Sequence, residues 1–232
     1  MITAPICEFV RRYRYSGALR MHMPGHKGTA LLGPEPLDLT EIEGADVLYH
    51  AEGIIRESEA NAAALFGTKK TVYSAEGSSL CIRAMLYLAL LNARANHKKP
   101  VIAAGRNAHK VFMTAAALLD LDIRWIYGTE SVISCAITPA QLEDVIVSEN
   151  PAAVYITSPD YLGNIADIKS LSTVCKKHGV LLLVDNAHGA YLRFLPEPMH
   201  PMQLGADICC DSAHKTLPVL TGGAYLLSLI HI

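Results

Sequence analysis

Seven short apolar runs recur along the chain: TVYS (71–74), VIAAG (101–105), IRWIY (123–127), AAVYITS (152–158), VLLLVD (180–185), ADICCD (206–211) and GAYLL (223–227). Their length and their content of Val, Ile, Leu and Tyr suit buried strands. Longer stretches with apolar residues at helical spacing separate the earlier runs. ESEANAAALF (57–66) predicts one helix, and SSLCIRAMLYLALLNARA (78–95) predicts a long one with its serine pair at the N-cap. Segments 107–119, 139–148 and 167–178 predict three more. Strands apolar on both faces, alternating with helices, predict an α/β fold: a mainly parallel sheet covered by helices on both sides. In such sheets ligands bind beyond the carboxyl ends of the strands. Before about residue 50 the turn-rich MHMPGHKG and GPEPLD show little periodicity, so this part reads as an arm.

Composition narrows the partners. A chain of 232 residues can bury one sizeable core. With 51% hydrophobic and 18% charged residues and a mean hydropathy of +0.24, it suits a large α/β domain or an oligomer that buries further surface. A net charge of −2 with scattered Lys and Arg leaves no footprint for nucleic acid or an anionic membrane, which favours a small-molecule partner. The cysteines Cys7, Cys81, Cys135, Cys175, Cys209 and Cys210 lack metal-ligand spacing, and MITAPICEF lacks the regions of a signal peptide. The expectation is buried thiols in a cytoplasmic protein, with no metal. The longest apolar run, AMLYLALL (84–91), falls far short of the roughly 20 residues of a bilayer crossing.

The chemistry collects just after the strands. SAEGSSLC places Gly77 at a tight turn and Ser78 and Ser79 at a helix start, where free N–H groups and the positive dipole end suit a phosphate. An ordinary Ser cap is the commoner use of such residues. GRNAHK puts His109 at the next helix start, where capping is also commoner than catalysis, and TSPDYLG leaves Tyr161 on a turn. VLLLVDNAHGA ends an apolar run on Asp185, either a cap or a carboxylate that needs a cationic or proton-donating partner. ADICCDSAHKTLP then sets Lys215 in apolar surroundings, a costly place for a lone cation. Adjacent strands thus present a carboxylate and a lysine at one edge. Pyridoxal 5′-phosphate meets all these features at once. It has a phosphate, a ring nitrogen that works best protonated beside a carboxylate, an aldehyde that condenses with lysine, and a flat ring that needs stacking.

The set MHMPGHKG, AEGIIRESEANAAALFG, EGSS, RNAHK, TSPDYLGN, VDNAHGA and DSAHKTLPVLTGGAYL resembles the Orn/Lys/Arg decarboxylase family, fold-type I pyridoxal phosphate enzymes, and especially its shorter bacterial members. The resemblance runs from about residue 5 to 226. It implies a seven-stranded, mainly parallel sheet, with Lys215 condensed to the cofactor and Asp185 paired with the pyridine nitrogen. It further implies that His109 stacks on the ring, that Ser78, Ser79, Ser212 and His214 hold the phosphate, and that Ala187 lies under the other ring face. His188 belongs to the same motif with a less defined role. The implied reaction is decarboxylation of lysine, ornithine or arginine to the amine and carbon dioxide, with His214 and Lys215 as candidate acids, in a homodimer or higher oligomer.

Two other readings stand beside it. The same apparatus serves transamination or other fold-type I chemistry, because the cofactor carries the electronics and the protein selects the bond. A catalytically inert fragment is the second. LSLIHI (227–232) reads back as CTG TCT CTT ATA CAC ATC, which resembles a transposon-end adapter. The expected organisation is therefore an arm (1–50), a cofactor-binding large domain (51–226) and a non-native tail (227–232), with the family's small C-terminal domain absent and the chain itself inactive.

Overall fold

The computed structural model describes residues 3–128, 134 and 136–230. Two compact units make up the chain, Met1–Leu65 and Phe66–Ile232.

The first unit is less irregular than its turn-rich sequence suggests. Helix α1 (Pro5–Arg14) starts on a proline at its first turn, where a missing N–H costs nothing, and the Glu8 carboxylate accepts the Ala4 N–H at 3.2 Å. Its apolar residues Ile6, Phe9 and Val10 share a stripe too short to stand out from the surrounding Pro and Gly. Helix α2 (Ile54–Phe66) includes the predicted ESEANAAALF. Asp46 receives the backbone N–H groups of Val47, Glu52, Gly53 and Ile55 at 2.8–3.2 Å, which fixes the turn leading into α2. Partial burial pushes its carboxyl up, but these four donors outweigh that and hold it at about 2.

The second unit is the sheet domain. Its strands are β1 (Lys70–Ser74), β2 (Val101–Gly105), β3 (Asp122–Ile126), β4 (Ala153–Thr157), β5 (Leu181–Asp185), β6 (Ile208–Asp211) and β7 (Ala224–Ser228). They form one sheet of order β1-β7-β6-β5-β4-β2-β3, in which β7 alone runs antiparallel to its neighbours. All seven predicted strands are present within two residues at each end. The helices are α3 (Gly77–Ala95), α4 (Lys110–Leu118), α5 (Pro139–Glu149), α6 (Ile168–Lys177), α7 (Pro201–Leu204) and α8 (Ala213–Thr216). One core joins α3 and α4 to the sheet through Ile82, Met85, Leu86, Ala89 and Phe112, packed with Ile102, Tyr155, Leu183, Ile208 and Leu226. Helices α5, α6 and α7 bring Leu142, Leu171, Cys175 and Met202 into further buried layers. No helix among the described residues is long and apolar enough to cross a membrane.

Two sequence expectations need correction here. The serine pair does not cap α3. Ser74 Oγ accepts the Glu76 N–H and donates to Gly77 O, both at 3.1 Å, and Gly77 takes φ +66°, so the helix starts one residue early with Glu76 at the N-cap. Ser78 and Ser79 therefore sit inside the first turn. The cysteines are also not uniformly buried: Cys81, Cys175, Cys209 and Cys210 are, but Cys7 is exposed because α1 turns it away from its apolar stripe. Cys135 lies outside the described residues. Burial pushes the Cys81 and Cys175 thiols up to about 12, so both are protonated packing groups.

Candidate active site

The parallel strands end at one edge of the sheet, and the residues singled out above follow those ends. Ser78 comes after β1, His109 after β2, Tyr161 after β4, Asp185 closes β5, and Ser212, His214 and Lys215 come after β6. An open cleft is lined by Ser78, Ile82, His109, Thr157, Tyr161, Asp185, Ala187, His188 and Lys215. Long-range topology, not chain proximity, makes this assembly: β4, β5 and β6 lie side by side, with Thr157 opposite Asp185 and Asp185 opposite Cys210.

Asp185 forms the floor and is 2% exposed. Its Oδ2 accepts the Tyr155 hydroxyl at 2.9 Å, while Oδ1 accepts the Ala187 N–H at 3.2 Å and the Cys210 thiol at 3.5 Å. Three neutral donors satisfy an anion that would otherwise be costly to bury. Tyr155 itself is fully buried, and burial followed by the Asp185 charge pushes its hydroxyl well above the ordinary range, so it stays a donor. The sequence contained a clue to this residue. It is the lone hydroxyl in the buried run AAVYI, and a buried tyrosine hydroxyl requires a partner.

His109 both caps α4 and lines the cleft. Its Nδ1 accepts the Val111 N–H at 3.2 Å, which places a lone pair on that nitrogen and favours the neutral ring. Burial lowers its pKa, Asp185 opposes, and the charges of Lys215, Lys110 and His188 add to the lowering. Below about pH 6.5 the unfolded chain gains a proton that the folded ring resists, so this contribution to stability is complete above that pH and fades as pH falls through the lowered folded value. A His109→Asn variant keeps a capping acceptor but does not titrate. Thermal melts between pH 8 and pH 5 are therefore expected to decline less steeply for it than for the wild type.

Lys215 is exposed, not buried as its apolar neighbours suggested. It sits on the single turn α8 beyond the end of β6, so the apolar ADICC run lies in the sheet while Lys215 projects past it. Its Nζ lies 3.2 Å from His188 Nε2, and the His188 ring meets Tyr161 edge-on at 5.1 Å between centroids. Ser212 donates to Ser78 Oγ at 3.1 Å, joining the segment before Lys215 to the first turn of α3. His214 donates Nδ1–H to Gly223 O at 3.1 Å, and its Cε1 is 3.6 Å from where a β-carbon on Gly77 would stand. Ser79, Ser212 and His214 do not line the cleft itself; Ser212 and His214 reach the first turn of α3, the turn that also carries Ser79. Together the cleft offers a buried carboxylate, a primary amine, an imidazole and a helix start bordered by hydroxyls, which is the donor set that pyridoxal phosphate requires.

The architecture is that of fold-type I pyridoxal phosphate enzymes. Lysine decarboxylase A from Pseudomonas aeruginosa superposes with a TM-score of 0.82 at 16% identity, over 98% of this chain and 35% of its own. The structure of Oryza sativa TDC with PLP superposes with a TM-score of 0.59 at 17% identity, over 72% of this chain and 42% of its own. At such identities the likeness establishes the fold. The family follows from sequence: residues 4–231 match the profile of the Orn/Lys/Arg decarboxylase major domain, and the chain belongs to that family. An arginine decarboxylase of Bacillus subtilis is 32% identical over 238 residues, which are 96% of this chain and 47% of that protein. The chain spans about half the length of the curated relatives it matches. Family, fold and donor set agree on pyridoxal 5′-phosphate as the cofactor.

Proposed function

We propose that this chain carries the cofactor-binding centre of a decarboxylase acting on a basic amino acid, arginine, ornithine or lysine. The observation that supports it best is the convergence of Asp185 and Lys215 on one cleft from the ends of neighbouring strands. The family and the similarity to an arginine decarboxylase support the substrate class. Pyridoxal phosphate, when bound, supplies an aldehyde for amine exchange and a ring that accepts electrons from the substrate α-carbon.

The residues then take distinct tasks. The Asp185 carboxylate, held in place by its three protein donors, would pair with the ring nitrogen by charge and hydrogen bonding. With the cofactor bound, Lys215 Nζ would be the amine that holds the aldehyde, and Lys215 and His214 are the candidate acids toward the substrate α-carbon. His109 would offer its flat ring for stacking, and the small side chain of Ala187 would leave room for the cofactor in the cleft. Ser78, Ser79, Ser212 and His214 hold the phosphate with the first-turn N–H groups of α3. His188, beside Lys215, helps hold that amine in place. A homodimer in the cytoplasm fits the family.

Chemistry of this kind would require the cleft to be shielded from bulk water. Lys215 and Tyr161, the latter 61% exposed, leave the cleft open in this chain, so turnover by the isolated 232-residue chain is expected to be slow. The test incubates the chain, and a form extended to the length of its relatives, with cofactor and arginine, ornithine or lysine. Carbon dioxide with the matching amine supports the reading, and a keto acid with no amine replaces it by transamination.

A further inference from the structure

One residue on from Cys210, strand alternation turns Asp211 to the opposite face of the sheet, where it is fully buried with His200 and Asn186. Asp211 Oδ1 accepts the Asn186 side-chain amide at 2.6 Å, and His200 Nε2 reaches Oδ2 at 3.0 Å and Oδ1 at 3.3 Å. His200 Nδ1 accepts the Met202 N–H at 3.3 Å, so the ring proton resides on Nε2 and is donated to Asp211. Asn186 Nδ2 and His200 Nε2, 3.2 Å apart, are thus two donors converging on one carboxylate. His200, Cys209 and Asp211 also have the composition of a metal site, but a protonated Nε2 and an engaged Nδ1 leave His200 no lone pair for an ion.

Two features separate this cluster from ordinary core packing. Asn186 immediately follows Asp185, and Asp211 immediately precedes the segment Ser212–Lys215. The cluster therefore ties together the two strand ends that carry the reactive pair, next to the backbone bond from Asn186 N–H to Cys210 O at 3.0 Å. The arrangement is also kept at a cost. Asn186 Oδ1 is buried with no hydrogen-bond partner among the described residues, and a β-carbon at Gly189 would come within 2.0 Å of it. A buried carbonyl without a donor is expensive, and the fold accepts this, with a glycine in reserve, to keep the amide nitrogen on Asp211.

We propose that His200, Asn186 and Asp211 form a positioning cluster that sets where Asp185 stands relative to Lys215. This rests on the reading of that pair as the cofactor site. The test uses the 232-residue chain and two variants that divide the two ring nitrogens of His200 between them. His200→Asn keeps an acceptor for the Met202 N–H but is too short to reach Asp211. His200→Gln keeps a donor where Nε2 stands and loses the acceptor. The measurements are affinity for pyridoxal phosphate, the share trapped on Lys215 by borohydride, and, without cofactor, amide hydrogen exchange of segments 186–189 and 212–216. His200→Gln is expected to stay within about twofold of wild type, and His200→Asn to bind cofactor about tenfold more weakly with faster exchange in both segments. The idea is overturned if His200→Asn matches wild type, or if only His200→Gln is impaired, which would make His200 a cap for α7 alone. If the wild-type chain traps no cofactor on Lys215, the parent reading fails, and the exchange data decide the positioning role by the same comparison. Should both variants fail to fold, Asp211→Asn takes their place with the same readouts and the outcome expected of His200→Asn.

Discussion

Replacing Lys215 with alanine is expected to abolish the borohydride-trapped cofactor, from about one per chain to background, while the chain folds as before. The side chain is exposed, and its one side-chain hydrogen bond among the described residues is the 3.2 Å approach to His188 Nε2. Its removal leaves no cavity and no buried charge, so melting temperature is expected to move little. On this reading a lysine linked to the ring would give a visible band, which would disappear with the amine. Mass spectrometry of the reduced, digested protein checks the site directly. A variant that still traps cofactor at another lysine, such as the exposed Lys110 beside His109, refutes the assignment.

Asp185→Asn is expected to retain cofactor but to lose most of the turnover of a decarboxylating form. A preorganised charge of this kind stabilises developing charge by about 3 kcal/mol, corresponding to roughly a hundredfold or more in rate. The surroundings add a second effect. The carboxylate accepts from Tyr155, Ala187 and Cys210, whereas an amide offers one oxygen, so in either orientation its NH2 group faces a donor. Leaving a buried donor unpaired costs about 1–3 kcal/mol, and a lower melting temperature is expected in cofactor-free protein. Tyr155→Phe separates the two effects: it removes one donor but keeps the charge, so it is expected to lose far less rate than Asp185→Asn. Single-turnover carbon dioxide release and thermal melts of both variants check this. Near-wild-type rates in Asp185→Asn would remove the aspartate from the mechanism.

Much of the architecture was legible in the sequence because it rests on local pattern. Continuous apolar runs of strand length mark β1 to β7, and long amphipathic segments mark α3, α5 and α6, since an apolar face must be buried wherever the chain later goes. Asp185 and Lys215 stood out for a related reason: an ionisable group beside an apolar run is costly unless something else explains it. Helix α1 was hidden because one short stripe competes with proline and glycine on both sides.

What the sequence could not contain is the set of contacts made across the sheet. That Tyr155 donates to Asp185 depends on β4 lying beside β5, and that Asn186 meets Asp211 depends on β5 lying beside β6; in each case the partners are 25 or more residues apart. His200 joins Asp211 only because the segment before α7 returns beneath the strand ends. The exposure of Lys215 was decided in the same way. Local hydrophobicity records what neighbours along the chain are like, whereas burial depends on what the fold stacks over a residue, and α8 projects beyond the sheet. Periodicity and the cost of a misplaced charge thus determined the strands and the two central residues. Strand order determined which distant donors, Tyr155 and Cys210, join the local Ala187 N–H at Asp185, because hydrogen bonds reach about 3 Å in space irrespective of separation along the chain.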